Sequence, residues 1–202
     1  MSKDRNHDDH LTNDFSNFVS HSNILLRDTI EVATRAMTLC LIAAKGEGLD
    51  RGRTIQTIHK YRLETSLTPK EREFVWNPSP SDEVNLRFSW RYESYWTLLW
   101  ALGIVEELSD PSEICDSMLA FSILINRSRE QFILESRLRP LPEILLELER
   151  IRDTHRKCKE AFRRGEEIPG NAEPAVLIER HQALNWLITY KNQEWDSVTT
   201  DT

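Results

Sequence analysis

The sequence has few cysteines. Its 202 residues contain three, Cys40, Cys115 and Cys158, at wide spacing. An odd number spaced in this way indicates neither a disulfide framework nor a CxxC zinc or redox motif. We therefore expect free, buried thiols and a protein of a reducing compartment.

Long hydrophobic runs are also missing. The longest mostly apolar stretch without a charged residue, Ser94 to Val105, is well short of the roughly 20 residues needed to cross a bilayer. The first 23 residues are polar and hold His7 and His10 where a signal peptide requires an apolar segment. We expect no membrane association and a cytoplasmic location.

Several motifs that carry chemistry are absent. The chain has no GxxxxGK[ST], GxGxxG or GxSxG sequence, which removes the common phosphate-loop and serine-hydrolase classes, and no cofactor is expected. A net charge of -7 and a pI near 5.4 make nucleic acid an unlikely partner, because like charges repel phosphates.

What the sequence does contain is helical periodicity with clear start signals. Apolar residues recur at three- and four-residue steps from Leu26 to Ala44, and no useful stretch alternates with a period of two. Thr68-Pro69-Lys70-Glu71 and Asp110-Pro111-Ser112-Glu113 combine a capping residue, a proline and an acid, as helix starts do. We predict an all-α, single-domain bundle of about seven or eight helices over residues 24–202. Residues 1–23 are expected to form a disordered polar tail.

One predicted helix, about residues 83–108, differs from the others. Its stretch from Tyr95 to Val105 is apolar on every side. A helix of this kind is normally the buried centre of its domain, so we expect the remaining helices to pack around it.

Three stretches of the sequence resemble a known family. They are WRYESYWTLLWALG at Trp90 to Gly103, ERHQALNWLI at Glu179 to Ile188, and WDSVTTDT at Trp195 to Thr202. Together and in this order they are similar to the bacterial family DUF4272, a domain of unknown function. The resemblance implies one cytoplasmic bacterial domain and no known activity.

Three ionisable residues fall where helical geometry requires apolar ones. Arg180 lies in the middle of the apolar arc of the last helix. His155 is the missing member of an inward series that also contains Ile144, Leu148, Ile151, Cys158 and Phe162. Glu93 shares the face of the central helix that carries Trp100. We therefore predict a buried cluster of Glu93, His155 and Arg180.

This cluster has two interpretations. It can be a satisfied structural network, in which Glu93 bonds Arg180 and His155 bonds a backbone carbonyl. It can instead line a pocket, with Glu93 or His155 carrying a proton and Arg180 holding an anionic group. A water-accessible cleft of roughly 300 Å³ or more at these residues would favour chemistry.

Two weaker features complete the candidates. Glu179, His181 and Asp196 could be considered as metal ligands, but they match no HExxH-type spacing, and no metal is expected. The segment Arg150 to Arg164 has seven basic and two acidic residues, a net charge of +5. This basic face, with Arg152, Arg156, Lys159 and Arg163, could bind a protein partner or an acidic surface, or could be a solvated helix face.

The function best matched to these features is that of a non-catalytic cytoplasmic helical protein that binds or regulates a macromolecular partner. The alternative is an enzyme or a small-anion binder that uses Glu93, His155 and Arg180. The sequence sets no oligomeric state.

Overall fold

Capping side chains start several of the helices, and the one at Thr68 lies where the sequence signal predicts it. The Thr68 hydroxyl accepts a bond from the backbone N–H of Glu71, and the Glu71 carboxylate accepts one from the N–H of Thr68. Ser128 and Gln131 form a second capping box of this kind. Such caps satisfy the first backbone N–H groups of a helix, which have no partner within it.

The computed structural model describes residues 24–201, and the predicted tail, residues 1–23, lies outside them, as does Thr202. The described residues contain nine α-helices and no strand, so the all-α prediction is confirmed. The α-helices are α1 (Thr29–Gly46), α2 (Arg51–Tyr61), α3 (Pro69–Trp76), α4 (Asp82–Ser89), α5 (Arg91–Ala101), α6 (Ser117–Ile125), α7 (Arg129–Glu135), α8 (Leu141–Arg164) and α9 (Pro174–Leu187). Short 3₁₀ turns follow at Pro169–Asn171, Tyr190–Asn192 and Trp195–Ser197.

The long helix predicted over residues 83–108 is divided and shorter. It is interrupted at Trp90, beside the point where α1 passes so closely that a Cβ on Gly46 would lie 2.5 Å from the Ser89 nitrogen. α5 then ends at Ala101, because the carbonyls of Ala101 and Leu102 accept bonds from the backbone N–H groups of Arg139 and Arg137 instead. The next residue, Gly103, turns the chain with a φ of 68°.

The helix predicted to follow Asp110-Pro111 begins later than expected. The Asp110 carboxylate accepts bonds from the N–H and hydroxyl of Ser112 and closes a local turn there. α6 starts after Asp116, whose carboxylate accepts a bond from the Leu119 N–H. An aspartate before a proline can build either a turn or a helix cap.

Two helices share the centre of the molecule. α1 is buried on all sides from Val32 to Ala44, except for Thr34, and α5 is the neighbour that contacts it most extensively. α9 packs on α5 and on α8. The apolar stretch of α5 is central as predicted, and α1 contributes an equally buried partner. Among residues 24–201, no helix is both long and apolar enough to span a bilayer.

Candidate functional site

Glu93 and Arg180 meet inside the domain, in the contact expected from helical geometry. Arg180 Nε lies 3.3 Å from Glu93 Oε2, and the two side chains are 0% and 1% exposed. Arg180 also donates from Nη1 to the Ser109 carbonyl at 2.7 Å, while Glu93 accepts a bond from the Cys115 N–H. This pair therefore connects α5 and α9 to the loop between α5 and α6.

The pair does not face a large cleft. Glu93 borders a cavity of about 210 Å³ together with Trp90 and Cys115, whereas Arg180 is completely buried. This volume is below the roughly 300 Å³ of a typical small-molecule site. Burial and the neighbouring Glu93 carboxylate raise the pKa of Cys115 far above its usual range. The thiol is therefore protonated and is not an activated nucleophile.

His155 is buried as predicted, but its partner is His181. The two Nδ1 atoms are 3.1 Å apart and the rings meet edge to face. One ring therefore donates an N–H to the lone pair of the other, which requires at least one neutral ring. The predicted bond of His155 to a backbone carbonyl is replaced by this contact, and the hydrogen bonds of Glu93 and Arg180 do not include His155.

Both histidines are held in the neutral form. Burial lowers the pKa of His155 to about 4 and that of His181 to about 3. Nearby positive charges add to this effect, with Lys159 acting on both rings and Arg152 on His181. Because the pKa values lie well below neutrality, neither ring exchanges protons readily near pH 7.

The secondary candidates Glu179, His181 and Asp196 have separate partners. Glu179 accepts two bonds from Arg91 Nη1, at 2.9 and 3.0 Å. Asp196 accepts a bond at 3.3 Å from the backbone N–H of Lys70, at the start of α3. Within the described part of the chain, no group of three or more His, Cys, Asp or Glu side chains is arranged to hold a metal ion.

The basic face of α8 is paired in part with carboxylates of its own helix. Arg156 contacts both Asp153 and Glu160, at 2.6 and 2.9 Å. Glu147, one turn before the basic segment, pairs with Arg150, and Lys159 donates to the Thr200 carbonyl. The remaining residues of the predicted face, Arg152 and Arg163, are half-buried and exposed, respectively. Asp153 and Glu160 are already counted in the +5 charge of the sequence segment, and Glu147 lowers that charge by one, to +4. In the inward-facing series predicted for this helix, Phe162 was expected to be buried, but it is 81% exposed.

A pocket that sequence reasoning missed lies between α1, the start of α3 and the C-terminal 3₁₀ turn. Its volume is about 490 Å³. Its lining includes Arg35, Trp186 and Trp195, and the two indole rings meet edge to face at 5.5 Å. The available signal was Arg35, which interrupts the apolar sequence of α1, but its partner Glu71 is 36 residues away.

A second missed feature is the surface of α6. The helix, SMLAFSILI, carries no charged residue, yet only Ala120 and Leu124 of its nine residues are buried. Met118 is 76% exposed and Leu119 is 50% exposed. A short apolar segment normally indicates burial, so the sequence of α6 alone indicates a buried helix, whereas most of its residues are exposed or half-buried.

These observations define an all-helical protein whose internal ionised groups are paired with one another or with the backbone. A family model described as Domain of unknown function (DUF4272) matches residues 6–198. The chain belongs to that family, which confirms the resemblance seen in its motifs. Searches of curated proteins and of solved structures gave no match.

Proposed function

We propose that this protein is a non-catalytic helical protein that binds a protein partner through the surface of α6, and that the partner there is a second copy of the chain. The observation that carries the proposal is the exposed apolar face of α6. Met118 is 76%, Ile114 60% and Leu119 50% exposed. Contiguous exposed apolar side chains of this kind are typical of protein interfaces.

The apolar face extends beyond α6 itself. Leu86 of α4 is 61% exposed and borders the same cavity as Ile114. Ile125, at the end of α6, is 44% exposed. The surface therefore contains side chains from two helices and the loop before α6.

The charges that flank α6 favour a second copy as the occupant. Residues 106–116, before the helix, carry five acidic and no basic side chains, whereas residues 126–130, directly after it, carry two arginines and one glutamate. If two copies pair their α6 helices antiparallel about a two-fold axis, the acidic end of each faces the basic end of the other. The same face thus supplies both halves of a complementary pair.

The alternative, an enzyme or small-anion binder at Glu93, His155 and Arg180, has less support. Arg180 is fully buried and already bonded to Glu93 and Ser109, so it has little capacity left for an anion. The basic face of α8 is also a weaker candidate for partner binding, because same-helix carboxylates pair with its charges.

The proposed setting is the bacterial cytoplasm. The three cysteines are all free and buried, which suits a reducing compartment. The bacterial assignment is based on the resemblance of the sequence motifs.

Sedimentation equilibrium tests the proposal. We expect wild-type protein to form dimers at concentrations of roughly 10 to 100 μM, a common range for modest interfaces. Met118→Glu places a charge in the interface and should raise the dimer Kd by about tenfold or more. The matched control is Leu146→Glu, a change of the same type at a leucine of α8 that is 70% exposed.

A charge exchange tests the orientation. Glu113→Arg or Arg129→Glu alone should weaken association, and the two changes together should restore it, since each then faces its complement across the two-fold axis. Wild-type protein that stays monomeric throughout this range, or an equal effect of the Met118 and Leu146 variants, would refute the proposal.

A further inference from the structure

The pocket between α1 and the C-terminal 3₁₀ turn shares no lining residue with the α6 surface. Its volume of about 490 Å³ lies within the roughly 300 to 1,000 Å³ range of small-molecule sites. Its walls combine the two indoles with the apolar side chains of Leu67 and Pro69. Four hydroxyl-bearing residues complete the lining: Thr34, Thr65, Ser66 and Thr68.

The charges around the pocket are balanced except at two carboxylates, Glu194 and Asp196. Arg35 is paired with Glu71 in a buried contact, and Glu31 is paired with Arg27. The Glu194 side chain also lines the pocket, and it makes no hydrogen bond or ion pair with residues 24–201. The rim of the pocket therefore offers an unpaired negative charge.

Asp196 adds to this negative character. It lines the same rim, and among residues 24–201 only the backbone N–H of Lys70 donates to its carboxylate, at 3.3 Å, while the Lys70 ammonium donates to the Asp196 carbonyl. A cationic group on a ligand is thus favoured at the rim.

The faces of the indoles already have cationic neighbours. The Arg27 guanidinium lies 4.4 Å from the centre of the Trp186 ring, and that of Arg35 lies 5.1 Å from the Trp195 ring. A ligand cation would therefore bind the carboxylates at the rim, and the indoles would contact the apolar part of the ligand.

Two buried donors in the pocket wall lack acceptors. Trp195 is 2% and Arg35 6% exposed, and neither Trp195 Nε1 nor Arg35 Nε has a hydrogen-bond partner among the described residues. Buried N–H groups without acceptors are costly and uncommon in native proteins. Both nitrogen atoms are also shielded from the pocket space, so they add no ligand contact.

From these features we infer that the pocket binds a small amine with an apolar side chain, of the kind found at the first residue of a peptide. The ammonium group pairs with Glu194 at the rim. The apolar side chain packs against the indole edges and Leu67.

Calorimetric titration with phenylalaninamide tests this assignment, and tryptophan fluorescence gives a second readout because two of the six tryptophans line the pocket. The matched ligand is N-acetylphenylalaninamide, which keeps the ring and the carbonyl but has no charge. We expect saturable binding of phenylalaninamide and binding of the acetylated form weaker by roughly three- to tenfold, as for one partly exposed ion pair.

The matched variants are Glu194→Gln, which removes the rim charge and keeps the shape, and Glu167→Gln, an exposed residue outside the pocket. Only Glu194→Gln should weaken phenylalaninamide binding, by about the same factor as acetylation of the ligand. Equal affinity for the two ligands, an unchanged affinity in Glu194→Gln, or no saturable binding up to about 20 mM would overturn the inference. The comparison of ligands requires no variant and so does not depend on how Glu194→Gln folds.

Discussion

The interior between α5 and α9 and the surface of α6 reverse the usual distribution of residues in opposite ways. In the interior, Glu93 and Arg180 are ionisable side chains with almost no exposure. On α6, Met118 and Leu119 are apolar side chains that are half or more exposed. Both regions depart from the rule that apolar groups are inside and charged groups outside.

The interior and the surface of α6 differ in one respect. The charged groups of the interior have partners within the same chain, and the apolar groups of α6 do not. Arg180 has Glu93 and Ser109, and Glu179 has Arg91 and Ser94. Such saturation indicates a structural role, because a buried charge is tolerated when it is paired and hydrogen-bonded. The apolar groups of α6 have no cover within the described residues, and this exposure supports the proposal of a partner.

The largest expected effect is on the interior pair. Arg180→Met or Glu93→Gln leaves one member without its partner and should lower the free energy of unfolding by about 3 to 5 kcal/mol. Glu93→Leu combined with Arg180→Met should be milder than the sum of the single changes. Urea unfolding measures all three, with the exposed Arg163→Met as the control. Additive losses without coupling would show that the pair does not act as a unit.

A smaller effect per pH unit is expected from the histidine pair as pH falls. The pKa values of His155 and His181 are lowered to about 4 and about 3 in the folded protein, from an ordinary value of 6.5. The unfolded chain therefore takes up protons first, and stability present above pH 6.5 is lost as pH falls towards 4. The slope is at most about 1.4 kcal/mol per pH unit for each histidine.

His181→Gln should reduce this slope when unfolding is measured at a series of pH values from 7 down to 4. The exposed His59→Gln serves as the control. An unchanged slope in His181→Gln would contradict the assignment of a neutral, buried pair.

The smallest effect is expected at the surface of α6. Met118→Ala should change the free energy of unfolding by less than about 0.5 kcal/mol, because the side chain is mostly exposed. Leu124→Ala on the buried face of the same helix should cost about 2 to 5 kcal/mol. The measurement belongs at low protein concentration, since association would add to apparent stability. A large loss in Met118→Ala would place this side chain in the fold itself.

The features that depend on local geometry could be predicted from the sequence. Helical periodicity was sufficient to place Glu93, His155 and Arg180 inside, and the Thr68 capping box was found because its residues are three apart. The contact of His155 with His181 was missed, since it depends on how α8 and α9 pack. The break at Trp90 has no proline or glycine to signal it.

The exposure of α6 also could not be predicted from the sequence. Ser117 to Ile125 has the composition of a core helix, and only the arrangement of its neighbours leaves one side open. The pocket has the same origin, because it needs α1, the start of α3 and residues 194–196 to meet. Both the exposed surface and the pocket depend on how distant helices pack together. The local sequence patterns contain no information about that packing.

The burial of α1 on nearly all sides affects how the protein is made. α1 leaves the ribosome early, whereas α5, the helix that contacts it most extensively, is complete only at Ala101, 55 residues after α1 ends at Gly46. At a synthesis rate of roughly 5 to 20 residues per second, α1 waits about 3 to 11 seconds for that cover. During this interval its apolar surface is open to chaperones and to other nascent chains. One of the most deeply buried helices of the finished protein is thus exposed during synthesis.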